Sequence, residues 1–242
     1  MAVLGKIIGG AAGFAIGGPL GALVGAVAGH AVDRFRTADE EPDDAKRQST
    51  FTIAVIALSA KMAKADGTVT PDEVAAFRQI VDVPEDEMKN VQRIFDLARQ
   101  DVRGFEAYAR QVARMFDDRP AVMEELLDSL FHIAKADNVL HPQEDAFLRE
   151  VASIFGFDDA KYARIRATHV GADIANPYAI LGIAHDASDE EVRKAWRELI
   201  KENHPDKLTA EGMPEDFIQV ATRKMAAINE AWGSVRKQRG IR

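Results

Sequence analysis

The first part of the chain is a long run of apolar and small residues without charges. Between Lys6 and Asp33 stand 26 consecutive residues that include no Asp, Glu, Lys or Arg. At about 1.5 Å per helical residue, this run is long enough to cross a hydrocarbon core of roughly 30 Å. The pattern therefore predicts a membrane-spanning helix within residues 1–36.

Glycine recurs at every fourth position of this segment. In a helix these positions form one smooth stripe, which consists of Gly5, Gly9, Gly13, Gly17, Gly21, Gly25 and Gly29. Small residues let two helix backbones approach closely in lipid. The stripe therefore predicts a membrane-packing face and a homodimer formed through it.

Three alternatives to a single span stay open. Residues 17–19 (GGP) can turn the chain, which would give a helical hairpin in the membrane. Lys6 and the small residues 26–28 (AVA) also fit a cleaved secretory signal, and a glycine-rich soluble segment is the third alternative. Basic residues are more frequent after the span than before it, which favours a cytoplasmic location for the rest of the chain.

The pattern of the next residues is helical. Residues 37–50 are polar and include Pro42, as is typical of a solvated linker. From residue 51 to about residue 165 apolar positions recur at helical spacing, without the alternation of a strand. We predict an all-α domain of six or seven helices over residues 51–165, then a second linker over residues 166–175.

A short repeat divides this predicted domain. Residues 63–67 (AKADG) recur 71 residues later as residues 134–138 (AKADN), and Pro71 and Glu73 recur as Pro142 and Glu144. Each copy predicts a helix that ends where a positive φ is tolerated, followed by a helix with proline in its first turn. The two copies therefore predict two helical hairpins that pack with pseudo-symmetry.

The repeat resembles the TerB-like domain, a family of helical bundles in part associated with metal or stress responses. Oxygen and nitrogen ligands for a divalent ion could come from Asp66, Asp72, Glu73, Asp137, Glu144, His132 and His141. Neither loop has the alternating Asp/Asn pattern of a calcium-binding loop. We therefore expect the acids to cap helices, and we predict no metal site.

The residues from 176 to 242 begin with local signals for two helices. Asn176 precedes a short helix that we expect to end at Gly182. Ser188 is a good N-cap, and Glu191 three residues later completes a capping box. The second helix is predicted to continue to about Asn203.

This second helix has an apolar face and a cationic face. The apolar face consists of Val192, Ala195, Trp196 and Leu199, and the cationic face has Arg193, Arg197 and Lys201 at four-residue steps. The tripeptide at residues 204–206 (HPD) ends the helix, because proline disfavours helical geometry in the residue before it.

A loop and a last helix follow the tripeptide. We predict a loop through Gly212 and then a helix over about residues 214–237. The residues expected to meet the apolar face of the preceding helix are Phe217, Ala221, Ile228, Ala231 and Trp232. Two antiparallel helices with a polar tripeptide at their tip are the result.

These motifs closely resemble the J-domain of DnaJ-family co-chaperones. The stretches that match are PYAILGI, EEVRKAWRELIKENHPDK and INEAW. The resemblance implies that residues 176–242 bind a DnaK-type chaperone and stimulate its ATP hydrolysis. It implies partner-binding roles for His204, Pro205, Asp206, Arg193, Lys194, Arg197, Lys201 and Lys207.

The order of the segments adds a second resemblance. A glycine-rich span, a TerB-like bundle and a C-terminal J-domain resemble the DjlA type of bacterial inner-membrane J-protein. That resemblance implies a location at the inner membrane, with the J-domain facing the cytoplasm.

Composition narrows the function further. The chain has no cysteine, which excludes disulfides, thiolate zinc sites and cysteine nucleophiles. Its net charge of -8, from 31 Lys and Arg against 39 Asp and Glu, disfavours binding to nucleic acid. His204 and Asp206 could form an acid/base pair, but no nucleophile or phosphate-binding loop is nearby in sequence. We therefore expect neither catalysis nor a cofactor.

Two other functions stay as alternatives. One is a stress- or metal-sensing adaptor that acts through the TerB-like domain, with the J-domain as its output. The other is a J-like protein that no longer stimulates a chaperone. The intact tripeptide and the cationic face argue against this alternative.

Overall fold

The structure consists of α-helices joined by short connections. This computed structural model describes residues 18–28, 43–66, 70–81, 88–101, 104–169, 176–211 and 213–241. No residue within these ranges lies in a β-strand. The prediction of an all-α fold is therefore confirmed.

The first described helix, α1, spans Gly18–Ala28. Gly18 has a φ of +57°, which a residue with a side chain rarely adopts, and the proline after it favours the first turn of a helix. Leu20 and Leu23 are buried in a core shared with the helices that follow, and the Leu20 amide donates to the Gln111 side chain over 3.0 Å. Gly18 and Pro19 therefore stand at the start of a helix.

The membrane prediction is only partly within the described residues. Gly21 and Gly25 lie in α1, while Gly5, Gly9, Gly13, Gly17 and Gly29 lie outside the described residues. None of the described helices is both long enough and apolar enough to cross a bilayer. The glycine stripe as a packing face stays a prediction.

The described residues from 43 to 169 form seven helices, which we call the bundle. They are α2 Asp43–Asp66, α3 Pro71–Ile80, α4 Met88–Gln100, α5 Phe105–Met115, α6 Pro120–Ala134, α7 Pro142–Ile154 and α8 Asp159–His169. Helix α2 is central, because every residue from 51 to 63 is buried. The number of helices agrees with the six or seven that we predicted.

Both predicted linkers are partly helical. We predicted residues 37–50 to be a solvated linker, which is wrong for residues 43–50, since they are the first two turns of α2. Thr50 is already fully buried, and the Thr52 hydroxyl donates to the Gln48 carbonyl over 3.1 Å. Helix α8 likewise continues to His169, so the second linker cannot begin at residue 166. Polar composition predicted solvent exposure, but a buried helix can begin with polar turns.

The internal repeat gives the helix starts that we predicted. Pro71 and Pro142 stand in the first turns of α3 and α7. The Glu73 carboxylate accepts a hydrogen bond from the Thr70 amide over 2.6 Å, and the Glu144 carboxylate accepts one from the His141 amide over 2.9 Å. Asn138 has a φ of +67°. The two acids therefore act as helix caps, as expected.

The remaining described residues form four α-helices and a short 3-10 turn. They are α9 Pro177–Leu181, α10 Asp189–Glu202, α11 Pro205–Ala210, the 3-10 turn Glu215–Phe217 and α12 Ile218–Arg239. We call α10 and α12 the J hairpin. Asp189 at the start of α10 lies 3.4 Å from Arg239 at the end of α12, so the two helices are antiparallel, as predicted.

Helix α12 packs on two different partners. Its second half lies against α10 through Ile228, Ala231 and Trp232, as predicted. The expectation that Phe217 and Ala221 also meet α10 is wrong, because both lie in the core of the bundle. Helical spacing tells which residues share a face, but it does not tell which element covers each part of that face.

The contact between α12 and the bundle contains buried charges. The Lys224 ammonium lies 2.7 Å from Glu124 Oε1 and 2.7 Å from Asp128 Oδ2. Glu125 Oε2 is farther away, at 3.5 Å. The side chains of these four residues are at most 4% exposed. We call these four residues the Lys224 cluster.

The charges of the cluster shift the pKa values of its members in opposite directions. Burial raises the pKa of Glu125 to about 8, with nearby Asp128 and Glu124 adding to the rise and Lys224 opposing it. Burial also opposes ionisation of Glu124, but Lys224, Arg164 and Lys161 together hold its pKa well below the usual range. At neutral pH Glu124 is therefore a charged partner of Lys224, whereas Glu125 is mostly protonated.

We predict that the free energy of unfolding falls as the pH rises from about 6.5 to 8. In this window the folded state keeps a proton on Glu125, with its pKa of about 8, that the unfolded state has released at its ordinary pKa of 4.5. The slope should approach about 1.4 kcal/mol per pH unit and level off above pH 8. Urea denaturation of the full chain in detergent measures it.

The control for this prediction is Glu125→Gln, which keeps the shape of the neutral carboxyl but cannot ionise. The free energy of unfolding of this variant should depend less steeply on pH over the same window. Equal slopes in the natural chain and the variant would contradict the assignment to Glu125.

Candidate functional site

The J hairpin has an apolar core of its own. The buried residues of this core are Tyr178, Ile180, Leu181, Val192, Leu199, Ile228, Ala231 and Val235. On its edge the indole rings of Trp196 and Trp232 stack with centroids 5.1 Å apart. Trp196 Nε1 donates to Asn229 Oδ1 over 3.0 Å, so this indole is fixed by both packing and a hydrogen bond. The apolar face of α10 thus packs as predicted.

Local signals place both ends of α10. The Glu191 amide donates to the Ser188 hydroxyl over 3.3 Å, and the Ser188 amide donates to the Glu191 carboxylate over 2.7 Å. This is the predicted capping box. The helix ends at Glu202, and the Asn203 side chain turns back to donate to the Leu199 carbonyl over 2.7 Å. The residues that follow are thereby held at the tip of the hairpin.

Arg239 holds the other end of the hairpin together. Its Nε donates to the Tyr178 hydroxyl over 2.9 Å, and its guanidinium also donates to the carbonyl oxygens of His185 and Ala187. The guanidinium carbon lies 4.9 Å from the centre of the Tyr178 ring. Sequence reasoning missed this residue, because an arginine in the last turn of a helix commonly serves the helix dipole alone.

The cationic face of α10 follows one side of the helix toward the tip. Arg197 and Lys201 are exposed and Arg193 is half-buried. The Arg197 Nε donates to the Arg193 carbonyl over 3.2 Å, which keeps this side chain along the helix. Lys194 is exposed and lies 3.9 Å from Glu198. The face ends next to His204, one further turn along the chain.

The tripeptide at residues 204–206, which we call the HPD segment, is exposed at the tip. The side chains of His204 and Asp206 are 47% and 93% exposed, and His204 Nδ1 lies 3.7 Å from Asp206 Oδ2. The Asp206 amide donates to His204 Nδ1 over 3.2 Å. His204 therefore serves as the N-cap of the next helix, and Pro205 stands at its first position.

The residues after the tripeptide are helical, although we predicted a loop there. Helix α11 has only six residues, and the amides of Lys207 and Leu208 both donate to the His204 carbonyl, over 3.0 and 3.1 Å. Leu208 is fully buried in the core of the bundle. The helix forms because Pro205 stands at its first position and Leu208 is buried. The apolar Leu208 was the residue in the sequence that could have predicted this helix.

Comparison with known families matches three consecutive segments of the chain. Residues 1–50 match the co-chaperone DjlA transmembrane domain, residues 52–167 match the tellurite resistance protein TerB, and residues 176–238 match the DnaJ domain. The chain is also 30% identical over 266 residues to the co-chaperone protein DjlA of Coxiella burnetii, covering 98% of both chains. The chain belongs to the DjlA family of co-chaperones.

Other DjlA proteins are similar over the same length. The co-chaperone protein DjlA of Photobacterium profundum is 28% identical over 275 residues, covering 98% of this chain and 99% of that one. The DjlA of Vibrio cholerae is 28% identical over 284 residues and covers both chains completely. No solved structure matches the chain.

The candidate metal ligands of this DjlA chain are spread over different roles. Glu73 and Glu144 cap helices, and Asp137 accepts a hydrogen bond from the Val139 amide over 2.9 Å. His132 faces Arg223 over 3.4 Å, and burial together with Arg223 lowers its pKa to about 4. Within the described ranges, which leave out the side chain of Asp66, no three such residues are grouped to hold an ion.

Proposed function

We propose that this DjlA chain is a membrane-anchored co-chaperone whose J-domain binds a DnaK-type chaperone and stimulates its ATP hydrolysis. The observation that carries the proposal is the exposure of His204 and Asp206 at the end of the cationic face of α10. A row of basic residues along one helix that ends in an ordered, exposed tripeptide is suited to a protein partner of opposite charge.

In this proposal the cationic face brings the partner into register. Arg193, Lys194, Arg197, Lys201 and Lys207 supply the positive charge, and Lys207 is partly exposed beside Glu211. Apposed charges raise the rate of encounter and fix orientation more than they raise affinity. Exposed charges are also screened by salt, so docking should weaken as ionic strength rises.

The HPD segment then acts by contact and not by catalysis. The His204 ring already uses Nδ1 as a cap acceptor, and the side chains of His204 and Asp206 are both exposed to solvent. ATP hydrolysis takes place in the chaperone, and this chain supplies an ordered surface that favours the hydrolysing state.

The N-terminal segment anchors this activity in the proposal. The match of residues 1–50 to a transmembrane domain family supports an anchor, as does the run of 26 uncharged residues. The proposed location is the bacterial inner membrane, and the excess of basic residues after that run supports an orientation with the J-domain in the cytoplasm. The glycine stripe supports a homodimer through the membrane segments.

We predict that replacing Gly5, Gly9 and Gly13 by leucine abolishes association between two differently tagged copies in membranes. Bulky residues would keep the backbones apart along the stripe. Co-purification from mixed membranes measures the association. The matched control is replacement of Ala11, Ala15 and Ala22 by leucine, because these positions lie on the opposite side of the helix. Undiminished co-purification of the glycine variant would contradict the dimer.

We predict that His204→Gln lowers the maximal stimulated rate of single-turnover ATP hydrolysis by at least about tenfold, because the ordering contact is removed. His185→Gln is the matched control, since His185 is an exposed histidine of the same domain that packs on Tyr178 with ring centroids 4.3 Å apart. Stimulation that survives His204→Gln at the natural level would contradict the proposed role of the HPD segment.

We predict that Arg197→Glu acts on affinity instead. The concentration of the chain needed for half-maximal stimulation should rise about five- to tenfold at low salt, because a favourable charge becomes a repulsive one. Added salt should reduce the difference in half-maximal concentration between Arg197→Glu and the natural chain. Arg236→Glu makes the same charge change on the exposed surface of α12. If both variants weakened stimulation equally, the cationic face of α10 would have no special role.

A further inference from the structure

The segment that follows the HPD segment packs on the first half of α12 and joins the apolar core of the bundle. Leu208, Met213 and Phe217 are fully buried, and all three belong to the core of the bundle. The Phe217 ring meets the Phe51 ring edge-to-face, with centroids 4.7 Å apart. These residues lie between the tripeptide and α12, so the bundle covers the connection that leaves the tip of the hairpin.

Polar contacts reinforce this packing at both ends of the connection. Arg119, at the start of α6, donates through Nη1 to the carbonyl oxygen of Glu211, just after α11. Lys224, two turns into α12, lies in the buried Lys224 cluster. Arg119 thus holds the end of α11, while Lys224 fixes the start of α12 on the same helix of the bundle.

Helix α11 depends on such contacts for its order. A helix of six residues is far below the length at which an isolated helix is stable in water. Its first turn includes Pro205 and Asp206, and the amides of Lys207 and Leu208 bond to the His204 carbonyl. Because Leu208 is in the same short helix, its burial in the core that α12 and the bundle share fixes the orientation of the tripeptide.

We propose that the bundle positions the HPD segment for its chaperone partner, with Leu208 and Arg119 as positioning residues. The bundle is then part of the J-domain's working structure and not only a spacer from the membrane. This inference rests on the proposed function, since the segment is positioned for a partner whose hydrolysis it stimulates.

The test uses the full chain in detergent, with Leu208→Ala and Arg119→Ala as the variants. Ile183→Ala is the matched control for Leu208, because Ile183 packs on the core of the J hairpin. Arg149→Ala is the control for Arg119, because Arg149 is an exposed arginine of the bundle paired with Asp159. Hydrogen exchange at the amides of residues 207 and 208 reports the order of α11, and single-turnover hydrolysis reports stimulation.

We expect exchange at these amides to be about tenfold faster in Leu208→Ala, because loss of the buried side chain lets α11 open locally. The maximal stimulated rate should fall several-fold, with less than about a twofold change in the half-maximal concentration, since the cationic face is intact. Arg119→Ala should make exchange at these amides about threefold faster and lower the maximal stimulated rate about threefold, because one charged hydrogen bond is lost.

Exchange and maximal rates in both variants equal to those of their controls would overturn the inference. If Leu208→Ala failed to fold, exchange and the maximal rate in Arg119→Ala, compared with Arg149→Ala, would decide whether the inference holds. If the natural chain itself gave no stimulation, the proposed function would fail, and hydrogen exchange would still decide whether the bundle orders α11.

Discussion

The ammonium group of Lys224 lies between carboxylates of α6, and the relation between the two halves of the described chain depends on it. Lys224 is on α12, while Glu124 and Asp128 belong to the bundle at 2.7 Å each. Removing one member of such a buried set leaves an uncompensated charge, which commonly costs about 3–5 kcal/mol. Apolar contacts alone would allow α12 to slide, whereas this cluster permits one register. The Lys224 cluster therefore fixes the position of α12, and with it the J hairpin, on the bundle.

The register of α12 has consequences for the candidate site. The first half of α12 is buried against the bundle and the second half against α10, so a single helix links the two apolar cores. The cationic face of α10 and the HPD segment stay exposed in this arrangement. Within the described residues, the packing thus buries the supporting side of the hairpin and leaves the side of the proposed chaperone contact open.

Local signals predicted much of the fold. Capping residues such as Ser188 and Glu191, and a glycine with positive φ at Gly182, act within a few residues and could be read directly. The sequence does not predict in the same way which element packs against each face of a helix. Phe217 has the spacing to meet α10, yet it packs on Phe51 because the 3-10 turn before α12 lies against the bundle. Lys224 in a polar helix also looks like a surface residue, since nothing in its neighbours reveals the carboxylates of α6.

The central claim is that the bundle holds the J hairpin with its cationic face and HPD segment turned toward the partner. Hydrogen exchange of the full chain, with and without an ATP-loaded DnaK-type chaperone, tests it most directly. The account predicts new protection along α10 and at residues 204–207, with exchange unchanged where α12 meets α6. Protection confined to the bundle, or release of the contact between α12 and α6 on binding, would contradict it.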